Sequence, residues 1–217
     1  MTGIFDFKKE YKDLYAPKTN PSAIDVPEMI FIMVDGRGNP NTSEEYQAAV
    51  EILYGFSYTV KMSKKSGTQP KGYFDYVVPP LEGLWWLSEG SDSWKNDKDR
   101  YCWTSMIRQP EFVDDIVFEN AKNELVRKKP HLDVLRARLE AFKEGLCVVQ
   151  ALHIGSYDDE PRTNAAIGQF ITDNGYASDI SGTRRHHEIY LNYPRKTVPE
   201  KLKTIIRHPV SKRLKKA

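Results

Sequence analysis

The sequence is poor in sulfur, has no long apolar run and shows no excess of either charge. Its two cysteines, Cys102 and Cys147, stand far apart in 217 residues with no CxxC spacing. That excludes a disulfide scaffold and a cysteine-ligated zinc cluster, and implies reduced thiols in a cytoplasmic protein. No early apolar run resembles a signal peptide, and none approaches a membrane span, so a soluble chain with no membrane partner is expected. With 32 Lys and Arg against 30 Asp and Glu, the net charge of +2 is too balanced for a nucleic-acid footprint. Residues 1–28 are too short to hold a helix-turn-helix with a linker, which argues against a self-contained transcription factor. Gly36 and Gly38 lack the third glycine and the spacing of a dinucleotide loop. No cofactor is expected.

Aromatic residues, by contrast, are plentiful. Twelve Tyr, nine Phe and four Trp make up 12% of the chain. A core packed with large rings accounts for them; so does a pocket lined with rings for a flat or cationic organic ligand.

Residues 1–28, punctuated by Pro17, Pro21 and Pro27, read as an arm laid over the surface. Met29 to Asp35 is apolar on both faces and reads as a central strand. A helix then opens at Thr42, with Glu45 completing a capping box and a stripe through Tyr46, Val50, Leu53 and Ser57; Tyr54 and Tyr58 pair beside it. Pro79-Pro80 splits Tyr73 to Leu87 into a strand, a bend and a second strand, which sends Trp85 and Trp86 to opposite faces. Ser88 to Arg100 reads as a charged hairpin tip, and Tyr101 to Arg108 returns as a strand with Trp103 facing away from Met106. A connecting helix follows over 110–130, with Val113, Ile116, Val117 and Ala121 as its apolar side and Pro130 as its stop. Leu132 to Phe142 leans towards an extended piece. Leu146 to Tyr157 is a second central strand, placing Val149, Ala151, His153 and Tyr157 on one face. Pro161 opens a helix whose apolar side is Ile167, Phe170 and Ile171, and Gly175 closes it. Lys203 to Val210 is a last strand before a basic, disordered tail at 211–217.

The stretch Arg185-His186-His187-Glu188-Ile189-Tyr190-Leu191 organises the rest. Its period of two sends Ile189 and Leu191 to one face and His186, Glu188 and Tyr190 to the other. A carboxylate in mid-strand reaches solvent, pairs with a cation such as Arg184 or Arg185, or meets a ligand.

The order strand, helix, strand, strand occurs twice, over 29–108 and over 146–210. This predicts an α+β fold class: the doubled strand-helix-strand-strand repeat forms one curved antiparallel sheet within a single domain, 29–210, with helices on the convex face. Ile189 and Leu191 would then pack under the helices, leaving Glu188 and Tyr190 to the concave side.

Leu81-Glu82-Gly83-Leu84-Trp85-Trp86, His153-Ile154-Gly155-Ser156-Tyr157 and His186-His187-Glu188-Ile189-Tyr190-Leu191 together resemble the gyrase-inhibitor-like (GyrI-like) small-molecule-binding proteins. Val26 to Asn41 and the ending Lys201 to Val210 match the family's stand-alone branch, so the resemblance spans nearly the whole chain. Ser156 stands where many relatives have proline, and Asn192-Tyr193 replaces a commoner serine–aspartate. The resemblance implies an aromatic pocket with one glutamate. In multidrug-sensing regulators that glutamate meets cationic drugs; some stand-alone members hydrolyse DNA-alkylating cyclopropanoid natural products. By position Glu188 is that glutamate, and Tyr190, Trp85, Trp86 and Tyr157 match the motifs that contribute rings.

As an enzyme, the chain would use Glu188, its pKa raised by burial, as a water-orienting base, with Tyr190 or Tyr157 as proton donor. Trp85, Trp86, Trp103, Tyr58, His153 and His186 would contact the ligand. As a non-catalytic multidrug-binding or sensor protein, it would use the same residues without turnover. A metal site from His153, His186, His187 and Glu188 fails on spacing, since His186 and His187 point to opposite faces. The expected partner is a small aromatic or cationic ligand, with the protein a monomer or homodimer.

Overall fold

The computed structural model describes residues 3–88, 97–194 and 196–213. Most of the hairpin tip expected over 88–100, and the end of the basic tail, lie outside the described residues. In chain order the elements are α1 (Phe7–Glu10), α2 (Lys12–Tyr15), β1 (Ser22–Val26), β2 (Met29–Arg37), α3 (Glu44–Met62), β3 (Leu81–Leu87) and β4 (Tyr101–Arg108). There follow α4 (Asp115–Lys128), β5 (Ala137–Phe142), β6 (Gly145–Ile154), α5 (Glu160–Asp173), β7 (Tyr176–Ser178), β8 (His186–Tyr190) and β9 (Lys203–Lys212). The α+β class and the doubled strand-helix-strand-strand order are both present, and the ladders between strands are antiparallel. Two compact units result: residues 1–10 with 29–142, and residues 11–28 with 143–217.

In the first unit the strand order is β3-β4-β2-β5. β2 is central, as its two apolar faces require, with β4 on one side and β5 on the other. The helix beside it starts one residue later than the sequence suggests. Ser43, rather than Thr42, is the N-cap, and its Oγ accepts from the Tyr46 amide at 3.2 Å. The buried stripe of α3 is accordingly Ala49, Ile52, Leu53, Phe56, Ser57 and Val60, which leaves Tyr46 and Val50 only half-buried. α4 also starts later than expected, capped by Asp114, and buries Phe118, Ala121 and Leu125. Ile116, expected on the apolar side, is 72% exposed. The cap itself sets the start: the Asp114 carboxylate accepts from the free amide of Val117 at 2.9 Å.

The second unit repeats this plan with the order β8-β9-β6-β1. β6 takes the place of β2, β9 of β4 and β8 of β3. The fourth place, filled in the first unit by β5 from later in the chain, is filled here by β1 from earlier. The N-terminal segment is therefore more than a surface arm. Ser22 to Ile24 pair with Gln150 to Val148, and Leu14 and Tyr15 are buried. Of the three prolines that suggested an arm, Pro21 and Pro27 flank the strand rather than interrupt it, and Pro17 lies before it. α5 covers one face of this sheet, where Val149, Ala151, Ile206 and Val210 pack with Ile167 and Ile171, and Phe170 and Tyr176 close the edge. Each of the buried valines and isoleucines in this set contributes about 1.5–3 kcal/mol.

Candidate functional site

The register of the second unit decides which side chains meet. Residues directly opposite in an antiparallel ladder point to the same face. Glu188 pairs with Ile206, which pairs with Ala151; Tyr190 pairs with Thr204, which pairs with His153. Glu188 and Tyr190 therefore lie on the face that α5 covers. His187 and Ile189 lie on the other, opposite Arg207 and Ile205. The expectation that Ile189 packs under the helix is thus reversed. Both faces of β8 carry buried side chains, so alternation separates two sets of side chains without saying which set meets the helix.

Along the α5 face runs a continuous hydrogen-bonded row. His208 Nε2 lies 2.8 Å from His186 Nδ1, and His186 Nε2 lies 2.9 Å from Glu188 Oε1. The Tyr190 hydroxyl donates to Glu188 Oε2 at 2.9 Å. Burial, and then the neighbouring His186, push His208 down to about 3, so it remains neutral. With its Nε2–H donating to the carboxylate, His186 accepts from His208 at Nδ1, and the row ends on Glu188. Each oxygen of Glu188 keeps one further lone pair.

Two residues reach this row from the start of α5. Tyr157 lies in the single 3₁₀ turn Tyr157–Asp159, and its ring meets that of Tyr190 edge-to-face, with centroids 6.0 Å apart. Burial, then Glu188 and Glu160, push its hydroxyl up to about 12, so it carries its proton at neutral pH. Glu160 is the first residue of α5 and is only 8% exposed. Burial, followed by Glu188 to which it is hydrogen-bonded and by Asp158, holds its carboxyl far above the usual carboxylate range. Single carboxylate oxygens of Glu160 and Glu188 and a ring nitrogen of His186 lie within 4.8 Å of one another. That is compact enough for a cation, but both nitrogens of His186 already serve hydrogen bonds, so the set is a hydrogen-bonded one.

The site residues expected from sequence divide between the units. Glu188, Tyr190, Tyr157 and His186 come together in the second. His153 is in the same unit but acts as a clamp. Its Nε2 donates to the Ser156 carbonyl at 2.9 Å and its Nδ1 meets the Thr163 hydroxyl at 2.8 Å, tying the end of β6 to α5. Gly155, at φ +140°, makes that turn possible. Trp85, Trp86, Trp103 and Tyr58 belong to the first unit. Trp103 is wholly buried over Gly36 and against Tyr46, Trp85 packs on Tyr46 and Tyr101, and Tyr58 is 50% exposed beside Tyr54.

Sequence reasoning missed Glu160 and His208. Glu160 precedes Pro161 and reads as an ordinary first-turn carboxylate; His208 reads as one residue of a closing strand. Only the pairing of β8 with β9, and the seat of α5 on them, bring either to Glu188.

Among solved structures, the chain is similar to an uncharacterized conserved protein from Listeria innocua, with 52% identity, a TM-score of 0.91, and coverage of 95% of this chain and 100% of that one. Two further Listeria innocua structures, each described as a hydrolase, share 49% and 50% identity with TM-scores of 0.88 and 0.89. They cover 95% and 96% of this chain and all of their own. The EcmrR C-terminal domain, at 13% identity and a TM-score of 0.51 over 88% of this chain and 97% of its own, shares the fold alone. No curated protein matches. The GyrI-like small molecule binding domain matches residues 19–211, from before β1 to within β9, and the chain belongs to that family.

Proposed function

We propose that this small-molecule-binding protein is a hydrolase that opens cyclopropanoid DNA-alkylating compounds by adding water. One observation carries the reading: Glu188 is an oriented carboxylate, held by Tyr190 and His186, beside a proton-bearing Tyr157. The two relatives described as hydrolases, near 50% identity over nearly the whole chain, support it.

The chemistry follows from what each group can hold. An activated cyclopropane fused to a dienone needs a water at its methylene carbon and a proton at its carbonyl oxygen. A lone pair of Glu188 accepts a proton from water as the new C–O bond forms. The cyclopropane C–C bond breaks, and its electron pair reaches the dienone oxygen, which becomes a phenol on taking a proton from Tyr157. Glu188 then returns its proton to the tyrosinate, and the site is restored. Tyr190 is the weaker candidate for donor because its hydroxyl is committed to Glu188. The edge-to-face pair of Tyr157 and Tyr190 offers a ring surface for a flat substrate.

Incubating the purified protein with a spirocyclopropyl dienone tests this directly. Mass spectrometry should show a product heavier by one water, formed by the wild type and lost in Glu188→Gln. Compound that is bound yet recovered unchanged would instead make this a binding or sensing protein.

A further inference from the structure

A glutamate in the first turn of a helix is ordinarily an ionised, solvated group favoured by the helix dipole. Glu160 departs from this. It is buried, it is hydrogen-bonded to Glu188, and its Oε1 is enclosed with no hydrogen-bond partner. Among the described residues no lysine or arginine forms an ion pair with Glu160 or Glu188. The groups that face Glu160 are Glu188 and His186 from β8 and Tyr157 and Asp158 from the preceding turn, with Tyr190 behind Glu188 and His208 of β9 behind His186. Two touching carboxylates without a cation do not both ionise: one holds a proton.

We infer that Glu160 is a positioning acid for Glu188: it keeps its proton and donates it to Glu188, which fixes Glu188 as the single ionised carboxylate of the site. Glu188 then receives three donors, from Glu160, His186 and Tyr190, and its remaining lone pair has a defined direction. The N-terminus of α5, which would otherwise favour ionised Glu160, stabilises the shared charge instead. Glu160 acts through Glu188 and gives up no proton overall in turnover. Its proton holds the base in place, and Glu188 takes the proton from water. This assignment rests on the reading of Glu188 as the base, and it fixes the pH range in which that base is oriented. Once Glu160 ionises, the site carries two negative charges and loses a donor.

The test compares Glu160→Gln, which keeps an N–H donor of the same shape, with Glu160→Ala, which removes it. Glu160→Ala should lose at least about tenfold in kcat with little change in KM, the loss expected for one hydrogen bond to a charged group. Glu160→Gln should recover part of that loss, and its kcat should no longer fall on the alkaline side, where the wild type falls. An alkaline limb unchanged in Glu160→Gln, or wild-type kcat in Glu160→Ala, overturns the assignment. Isotope-edited infrared spectroscopy asks the question without substrate: at neutral pH a carboxylic-acid carbonyl band should be present in the wild type and absent from Glu160→Gln. If the wild type turns over no cyclopropanoid compound, the hydrolase reading fails; if its acid band is missing, the role given to Glu160 fails by itself. The infrared comparison also stands should Glu160→Ala not fold.

Discussion

Glu188 stands directly opposite Ile206 in the β8–β9 ladder, and Ile206 belongs to the core beneath α5. A carboxylate sharing a face with that core would be costly if left bare. It is satisfied by its own strand, through His186 two residues before it and Tyr190 two residues after. The strand's period of two, which sets all three on one face, thus both buries the charge and supplies its partners. The first turn of α5 then brings Glu160 and Tyr157 to the same point.

Replacing each tyrosine by phenylalanine should separate their roles. Tyr190→Phe removes the hydroxyl that holds Glu188 Oε2 and leaves the ring contact with Tyr157. A hydrogen bond to a charged group is worth about 1.5–3 kcal/mol, so kcat should fall by about 10- to 100-fold with KM nearly unchanged. Tyr157→Phe removes the proton source itself and should cost more, about 10²- to 10⁴-fold. Steady-state kinetics on a spirocyclopropyl dienone would decide. A Tyr157→Phe protein as active as the wild type would move the acid's role elsewhere.

The elements were largely legible in the sequence because their periods are. The alternation of His186 to Tyr190, the proline at the start of α5 and the two apolar faces of β2 each announce their structure. Three features were not legible, each for a physical reason. The facing of β8 was hidden because both its faces carry buried side chains. The pairing of β1 with β6 is a contact over more than a hundred residues that a five-residue, half-polar strand does not advertise. The site's second carboxyl was hidden because a glutamate before a helix proline looks alike whether solvated or buried.

Trp103 offers a check on packing in the first unit. A Cβ built on Gly36, its cross-strand partner, would stand 2.2 Å from the indole ring, and Tyr46 meets the ring edge-to-face at 5.1 Å. Gly36→Ala must displace the ring and should cost about 1–3 kcal/mol. Denaturant unfolding at neutral pH measures this. A variant as stable as the wild type would mean that the indole moves freely, contrary to its complete burial.

On the face of the second unit away from α5, Glu144 joins His187 and Arg207. It meets His187 Nδ1 at 2.9 Å and Arg207 at 3.0 Å, and Arg207 also donates to Gln150 and to the Leu14 carbonyl. Glu144→Gln would leave the buried Arg207 guanidinium without its counter-charge, and it should destabilise the fold by about 3–5 kcal/mol. Unchanged unfolding midpoints would show that water reaches this cluster.

The pH dependence of stability should have three regimes, each set by named groups. Burial alone would raise the Glu144 carboxyl, but His187 and Arg207 overcome it and hold it at about 2, against an ordinary 4.5. Its contribution is present above 4.5 and is lost as pH falls towards 2. His208, at about 3 against an ordinary 6.5, also binds its proton more readily when unfolded, so stability falls as pH drops below 6.5. Glu160 has the opposite sign: its raised carboxyl binds a proton more readily when folded, so stability falls as pH rises above 4.5. Each uncompensated proton gives a slope of about 1.4 kcal/mol per pH unit. Between 4.5 and 6.5 His208 and Glu160 oppose one another, and stability should be nearly flat. Below 4.5 Glu160 is protonated in both states, His208 and Glu144 act together, and the loss should be about twice as steep as for one proton. Above 6.5 Glu160 acts alone and stability should decline. Urea unfolding from pH 3 to 9 measures the profile. In Glu160→Gln the flat stretch should become a slope rising with pH and the alkaline decline should vanish; a flat stretch that survives the substitution would rule out Glu160 as its cause.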